Sequence, residues 1–239
     1  MARKGAARVP ARVQGDAVSR GIVISLCDLT GNFVEPWVSA GYDAILVDPQ
    51  HGEDSIETLA NGATITRLAA TVTEAFAALG GVIRSGNVAF VAGWPPCTDM
   101  AVSGSRWFAS KRAADPQFWS KAAIVAEQCR TLGELSGAPY FVENPVSVLS
   151  SIFGKPQHKF SPHDFTWLEQ GDNYTKKTCL WTGGGFVMPT RNSASPLGPP
   201  DDRIHKAPPG PERMNFRSAT PMGFARAVFA ANTRAEVAA

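Results

Sequence analysis

Cys97 stands at the close of the apolar run Val88-Ala-Phe-Val-Ala92, held in the segment Gly93-Trp-Pro-Pro-Cys97. A cysteine just past a strand, stiffened by two prolines, occupies the position where α/β enzymes place reacting groups. Forty-six residues on, a second apolar run, Pro139-Tyr-Phe-Val142, ends in Glu143-Asn144-Pro145. A thiol and a carboxyl at the ends of two strands predict a nucleophile and its acid partner in one crevice. Two more acids follow apolar runs. Ile22–Leu26 leads into Asp28-Leu29-Thr30-Gly31, and Ala44–Val47 closes on Asp48, 20 residues after Asp28. That spacing suits a nucleotide-type fold, in which a loop glycine lets a ligand approach the backbone and the second acid takes ribose hydroxyls. The sequence holds neither G-x-G-x-x-G nor G-x-x-x-x-G-K-[ST], which disfavours a dinucleotide site and a P-loop.

The elements that must position these residues read as follows. Residues 22–26 and 44–47 are strands, joined by a helix over about 35–40 that ends at Gly41. Residues 55–79 carry apolar side chains at helical spacing through Ile65, Leu68, Ala69, Val72 and Phe76, and predict a helix stopped by Gly80-Gly81. The strand 88–92 comes next, and 98–114 reads as a loop. Asp115-Pro116 predicts a helix start, with Phe118, Ala122, Val125, Cys129 and Leu132 on one buried face. Strands over 140–142 and 178–181 follow. Residues 182–215 hold seven prolines and five glycines in 34 positions and read as a long loop. A last helix spans about 222–232. Apolar runs alternating with helices predict an α/β protein, mostly parallel in its sheet, with helices on both faces.

The chain has 239 residues, 44% apolar and 18% charged, as expected of one globular domain over residues 21–239. The formal charge of +2 gives no strong global pull on nucleic acid. Residues 1–20 are uneven, with Arg3, Lys4, Arg8, Arg12 and Arg20 against Asp16. They read as a basic flexible arm, serving either solubility or phosphate contact. Cys27, Cys97, Cys129 and Cys179 form no C-x-x-C, and the four histidines are scattered, so neither a zinc site nor a disulfide framework is expected. Cys129 and Cys179 read as core thiols. No secretory leader and no membrane span is expected, and a reducing cytoplasm fits a working thiol.

Taken together, Asp28-Leu-Thr-Gly31, Asp48, Gly93-Trp-Pro-Pro-Cys97 and Glu143-Asn144-Pro145 resemble, in order and rough spacing, the DNA (cytosine-5) methyltransferases, above all short phage-type members. Asn173-Tyr-Thr-Lys-Lys-Thr-Cys-Leu-Trp181 and Arg217-Ser-Ala-Thr-Pro-Met-Gly-Phe-Ala-Arg226 look like that family's C-terminal signatures, so the likeness covers about residues 21–232. The resemblance implies a Rossmann-like methyltransferase fold, S-adenosylmethionine as methyl donor and cytosine in DNA as acceptor, flipped out of a duplex. It implies that Cys97 attacks C6, that Glu143 holds N3 and the amino group, and that Lys177 assists. Asp28, Leu29, Gly31, Asp48 and Pro95 would contact the cofactor. Asn144, Lys176 and Arg106 would contact the substrate, Arg106 from a 98–114 loop that mixes Trp107, Lys111 and Arg112 as a DNA-facing loop would.

Four features depart from the family pattern. Proline follows Asn144 in place of valine. No acid stands in Ile83-Arg-Ser-Gly-Asn87, and Lys176-Lys177 replace the usual glutamine–arginine pattern. The segment between Lys177 and the last helix is far shorter than a normal target-recognition domain. The other readings are modification of RNA cytosine or of a free nucleotide, and a cofactor- or DNA-binding protein without catalysis. Methylation of an amino group is a further one, but its motif carries an aromatic after Pro-Pro, where this chain has Cys97.

Overall fold

The computed structural model describes residues 20–192, 197–208, 210 and 213–233. Apart from Arg20, the expected basic arm lies outside them. The first half of the chain forms β1 (Ile22–Leu26), α1 (Glu35–Ser39), β2 (Asp43–Val47), β3 (Ser55–Thr58), β4 (Thr64–Leu68), α2 (Val72–Arg84) and β5 (Val88–Gly93). The second half forms α3 (Phe108–Ala114), α4 (Phe118–Ser136), β6 (Tyr140–Pro145), α5 (Ser150–Phe153), β7 (His158–Phe160), β8 (Thr178–Gly183), α6 (Arg203–Lys206), α7 (Arg213–Ser218) and α8 (Met222–Asn232).

The eight strands make one sheet in the order β3-β4-β2-β1-β5-β6-β8-β7. The five from β4 to β6 are parallel to their neighbours. β3 is antiparallel to β4, and β8 is antiparallel to both β6 and β7. Side chains alternate between two cores, as both-face coverage requires. Ala44, Leu46, Phe90 and Phe141 pack with Trp37 of α1 and Val228 of α8 on one face. Ile45, Val47, Val91 and Val142 pack with Leu79 of α2 and Leu132 of α4 on the other. This is an α/β architecture compatible with a Rossmann-like fold.

The chain winds outward from β1 through β2 to β4, then returns to β5 and β6 on the other side. The strand order therefore reverses between β1 and β5, and the carboxyl ends at such a reversal are where open α/β sheets bind ligands. Because β8 is reversed, its first residue, Thr178, opposes Pro145 at the end of β6. The residues leading into β8 thus reach the same edge as the ends of β1, β2, β5 and β6.

Four local expectations are corrected. Residues 55–68 are not helical. β3 and β4 form a hairpin around Asn61-Gly62, where Gly62 has φ +83° and Leu59 and Ala63 pair across the turn. The helix α2 starts only at a Thr71–Glu74 capping box and runs through Gly80-Gly81 to Arg84, held by buried Val72, Ala75 and Leu79. Residues 102–107 form a 3-10 segment continuing into α3, in place of a loop. Asp115 accepts from Gln117 N–H at 3.0 Å, so the first helical residue of α4 is Phe118. The stretch 182–215 holds α6 and the start of α7, besides the last residues of β8.

Candidate active site

At the end of β1 the backbone turns sharply, with Cys27 at φ +58°, a left-handed conformation rare for a side-chain-bearing residue. The turn brings buried Asp28 back under its own loop. Its Oδ1 accepts from the Gly31 N–H (2.8 Å), the Thr30 N–H (3.1 Å) and the Thr30 hydroxyl (3.2 Å). Its Oδ2 accepts from the Ser25 hydroxyl at 2.7 Å. Asp28 is therefore the organiser of the loop, engaged at both oxygens. Gly31 has φ +73°, a left-handed conformation that favours glycine, and a Cβ there would lie a tight 3.1 Å from Leu46 Cδ2. Leu29 is half-buried beside it.

Asp48, buried at the end of β2, caps the following turn through Oδ1, which accepts from Gln50 N–H at 2.8 Å. Its Oδ2 has no partner among the described residues. Next to it is His51, which the sequence reading missed. Burial lowers the His51 pKa, against the opposing pull of Asp48. The Nε2 of this neutral imidazole is buried and without a partner. The signal available in the sequence was position alone, three residues past a strand-end acid.

The second half of the site lies across the reversal point. Asn144 is 0% exposed, and its Nδ2 donates to the Pro95 carbonyl at 3.1 Å. Asn144 thus pins the Cys97 loop to β6. Its Oδ1 is buried without a hydrogen-bond partner, so the amide holds the loop through nitrogen and keeps an acceptor open. Pro95 is likewise buried, with its carbonyl taken. After Cys97 the chain turns at once, its carbonyl accepting from Met100 and Ala101 N–H at 3.0 and 2.8 Å.

The Cys97 thiol is pushed up by burial and by the Glu143 carboxyl, while Lys176 and Arg217 oppose the shift. Glu143 is only 9% exposed; burial pushes its carboxyl up, and Lys176 pulls it down. Its Oε1 is buried without a hydrogen-bond partner. The structure separates the two lysines. Lys176 acts on Cys97 and Glu143, whereas exposed Lys177 acts on Cys179, on the opposite side of β8. Arg217 of α7 joins the site, and the sequence reading had quoted it only as part of a motif.

No known family model matches the chain, and no curated protein matches it.

One contact ties the two halves. Trp94 Nε1–H donates to Ser25 Oγ at 3.1 Å, and Ser25 Oγ–H donates to Asp28 Oδ2 at 2.7 Å. The loop behind Cys97 and the loop behind β1 therefore share a buried polar chain. At the outer rim, Lys111 Nζ donates to the Thr98 carbonyl (2.9 Å) and pairs with Asp99 (2.6 Å), fastening α3 to the Cys97 loop. Arg106 is exposed on this rim, its guanidinium 5.1 Å from the Trp107 ring centroid.

Proposed function

We propose that this protein transfers a methyl group from S-adenosylmethionine to C5 of cytosine in DNA, through a covalent bond between Cys97 and C6. The observation that carries the reading is the pair itself. Cys97 and Glu143 come from the ends of adjacent parallel strands, the Glu143 carboxyl acts on the Cys97 thiol, and Glu143 presents a buried oxygen with no partner. A base whose N3 and amino group meet that carboxyl would satisfy it.

The chemistry of the residues fits the step. The Cys97 thiol gives its proton to solvent, its sulfur bonds to C6, and the pair of the C5=C6 double bond moves to C5, the carbon that takes the methyl group. Glu143, its carboxyl pushed up by burial, would hydrogen-bond N3 and the amino group and steady the ring as C6 is attacked. Lys176 compensates charge as the thiol ionises. Once C5 carries the methyl, its proton leaves to solvent, the C–S bond breaks, and the pair returns to sulfur.

The other half of the crevice suits the donor, which when bound supplies the methyl group. The free Oδ2 of Asp48 and the lone Nε2 of His51 are acceptors fit for ribose hydroxyls or an amino group. The doubly wound sheet favours the finer reading of a methyltransferase fold, since its reversal point separates a donor side from an acceptor side.

The test is incubation with DNA bearing 5-fluorocytosine and S-adenosylmethionine. Fluorine cannot leave as a proton does, so the adduct should persist and map to Cys97. Methyl transfer without an adduct, or transfer to the amino group, would overturn the reading.

A further inference from the structure

The rim around Cys97 is built from two short helices that both reach Thr98, the residue after the nucleophile. On one side, Lys111 bonds the Thr98 carbonyl, and Trp107, four residues earlier, shares its helical face. On the other, Met214 Sδ lies 4.0 Å from Thr98 Oγ1, and Arg217, three residues on, extends its charge to Cys97. Trp107 is 55% exposed and Met214 is 56% exposed, each an apolar side chain left bare beside the crevice. Val102 and Val146, bonded to each other through the backbone, are exposed as well. Arg106, 5.1 Å from the Trp107 ring centroid, brings a cation to the indole, and Lys176 and Arg217 bring theirs to Cys97, while Lys111 is paired with Asp99.

An exposed indole flanked by cations is the arrangement that holds unpaired nucleic acid, because a base offers its face to a ring only when unstacked, while phosphates need positive charge alone. A paired duplex needs more. The target must be unpaired and unstacked, and the opposite strand must be held off by a second lobe. Among the described residues between β8 and α8 only α6, of four residues, and α7, of six, stand in that place. We infer that the acceptor strand is single-stranded DNA, laid across Thr98 between α3 and α7, with Trp107 stacked on a base next to the target cytosine. This rests on the methyl-transfer reading and adds the form of its substrate.

The experiment measures binding of the full-length protein to fluorescent oligonucleotides of one sequence, single-stranded, fully paired, or paired with an unpaired bubble at the cytosine. It is run at one fixed salt concentration. The single strand and the bubble should bind about ten-fold tighter than the duplex. Trp107→Ala should lose about five-fold or more of single-strand affinity, and Trp107→Phe should keep most of it. Quenching of tryptophan fluorescence by the single strand should shrink in both variants. Equal or tighter binding of the duplex overturns the inference, as does failure to bind either form. Tighter binding of single-stranded RNA than of DNA also overturns it. A strand preference untouched in Trp107→Ala removes the indole from the account. 5-Methylcytosine measured on all three DNAs separates the two ideas: product on the duplex at the single-strand rate sinks the strand preference and leaves methyl transfer standing, whereas product on none sinks methyl transfer itself.

Discussion

Among the four cysteines only Cys97 joins partial exposure to a carboxyl and two cations. Cys129 and Cys179 are buried, and Cys27 is turned toward Cys129. Burial and Glu143 hold the Cys97 thiol protonated in the free protein, so ionisation has to accompany substrate entry, when Glu143 gains a partner and Lys176 remains. Cys97→Ser should abolish product, because an alkoxide is far harder to form than a thiolate, yet leave the melting temperature and donor binding close to wild type. Calorimetry and product analysis by mass spectrometry check both halves. Glu143 makes a prediction about stability. Its raised pKa means that, between the ordinary carboxyl range and the raised value, the folded protein holds a proton the unfolded chain has released. Stability therefore falls as pH rises through that window. Glu143→Gln removes the buried charge. It should be more stable than wild type by about 1–3 kcal/mol at pH 8, and no more stable near pH 4, while losing activity. Urea denaturation at the two pH values decides it.

At the scale of elements, the site is a set of strand ends tied by buried polar bonds. Ser25 is the junction: removing its hydroxyl leaves Asp28 and the Trp94 N–H each short of a partner. Ser25→Ala should cost about 1–3 kcal/mol in urea denaturation and lower turnover by loosening two loops together. Lys176→Met should reduce turnover far more than Lys177→Met, since only the former faces Glu143, and steady-state kinetics of the two variants tests that. Cys97, Glu143, Asp28 and Asp48 were legible in the sequence because reactive types ended apolar runs, and α8 spans the residues expected of the last helix. Residues 55–72 were misread because Ile65, Leu68, Ala69 and Val72 keep helical spacing across what is a strand, a loop and a helix start. The Asn61-Gly62 turn and the alternation Thr64-Ile-Thr66 were the stronger local signals. The bonds Asn144–Pro95 and Trp94–Ser25 join residues 49 and 69 positions apart, and no local pattern announces them. The choice between Lys176 and Lys177 is a matter of register, fixed only when β8 pairs with β6.

At the scale of the molecule, one sheet edge gathers everything chemical. The order of strands puts Asp28 and Asp48 to one side of the reversal point and Cys97 and Glu143 to the other, so a donor and an acceptor can meet over the β1–β5 boundary. What the fold offers for reading bases is small. Sequence discrimination needs several preorganised side chains aimed at base edges, each good pair giving about 1–3 kcal/mol. Around Cys97 the rim presents Arg106, Lys176 and Arg217 on short segments, and such cations bind phosphate whatever the sequence. With a formal charge of only +2, attraction beyond the rim is weak, so binding depends on those few contacts. DNA modification should therefore follow a short context of about one to three bases. Affinity should drop steeply as salt rises, because phosphate contacts release counterions. Sequencing of DNA after treatment with the purified protein, by a chemistry that distinguishes methylated cytosine, gives the context directly. Methylation confined to a single longer site would mean that the short segments between β8 and α8 read bases after all, and a salt-independent affinity would remove the cationic rim from the interface.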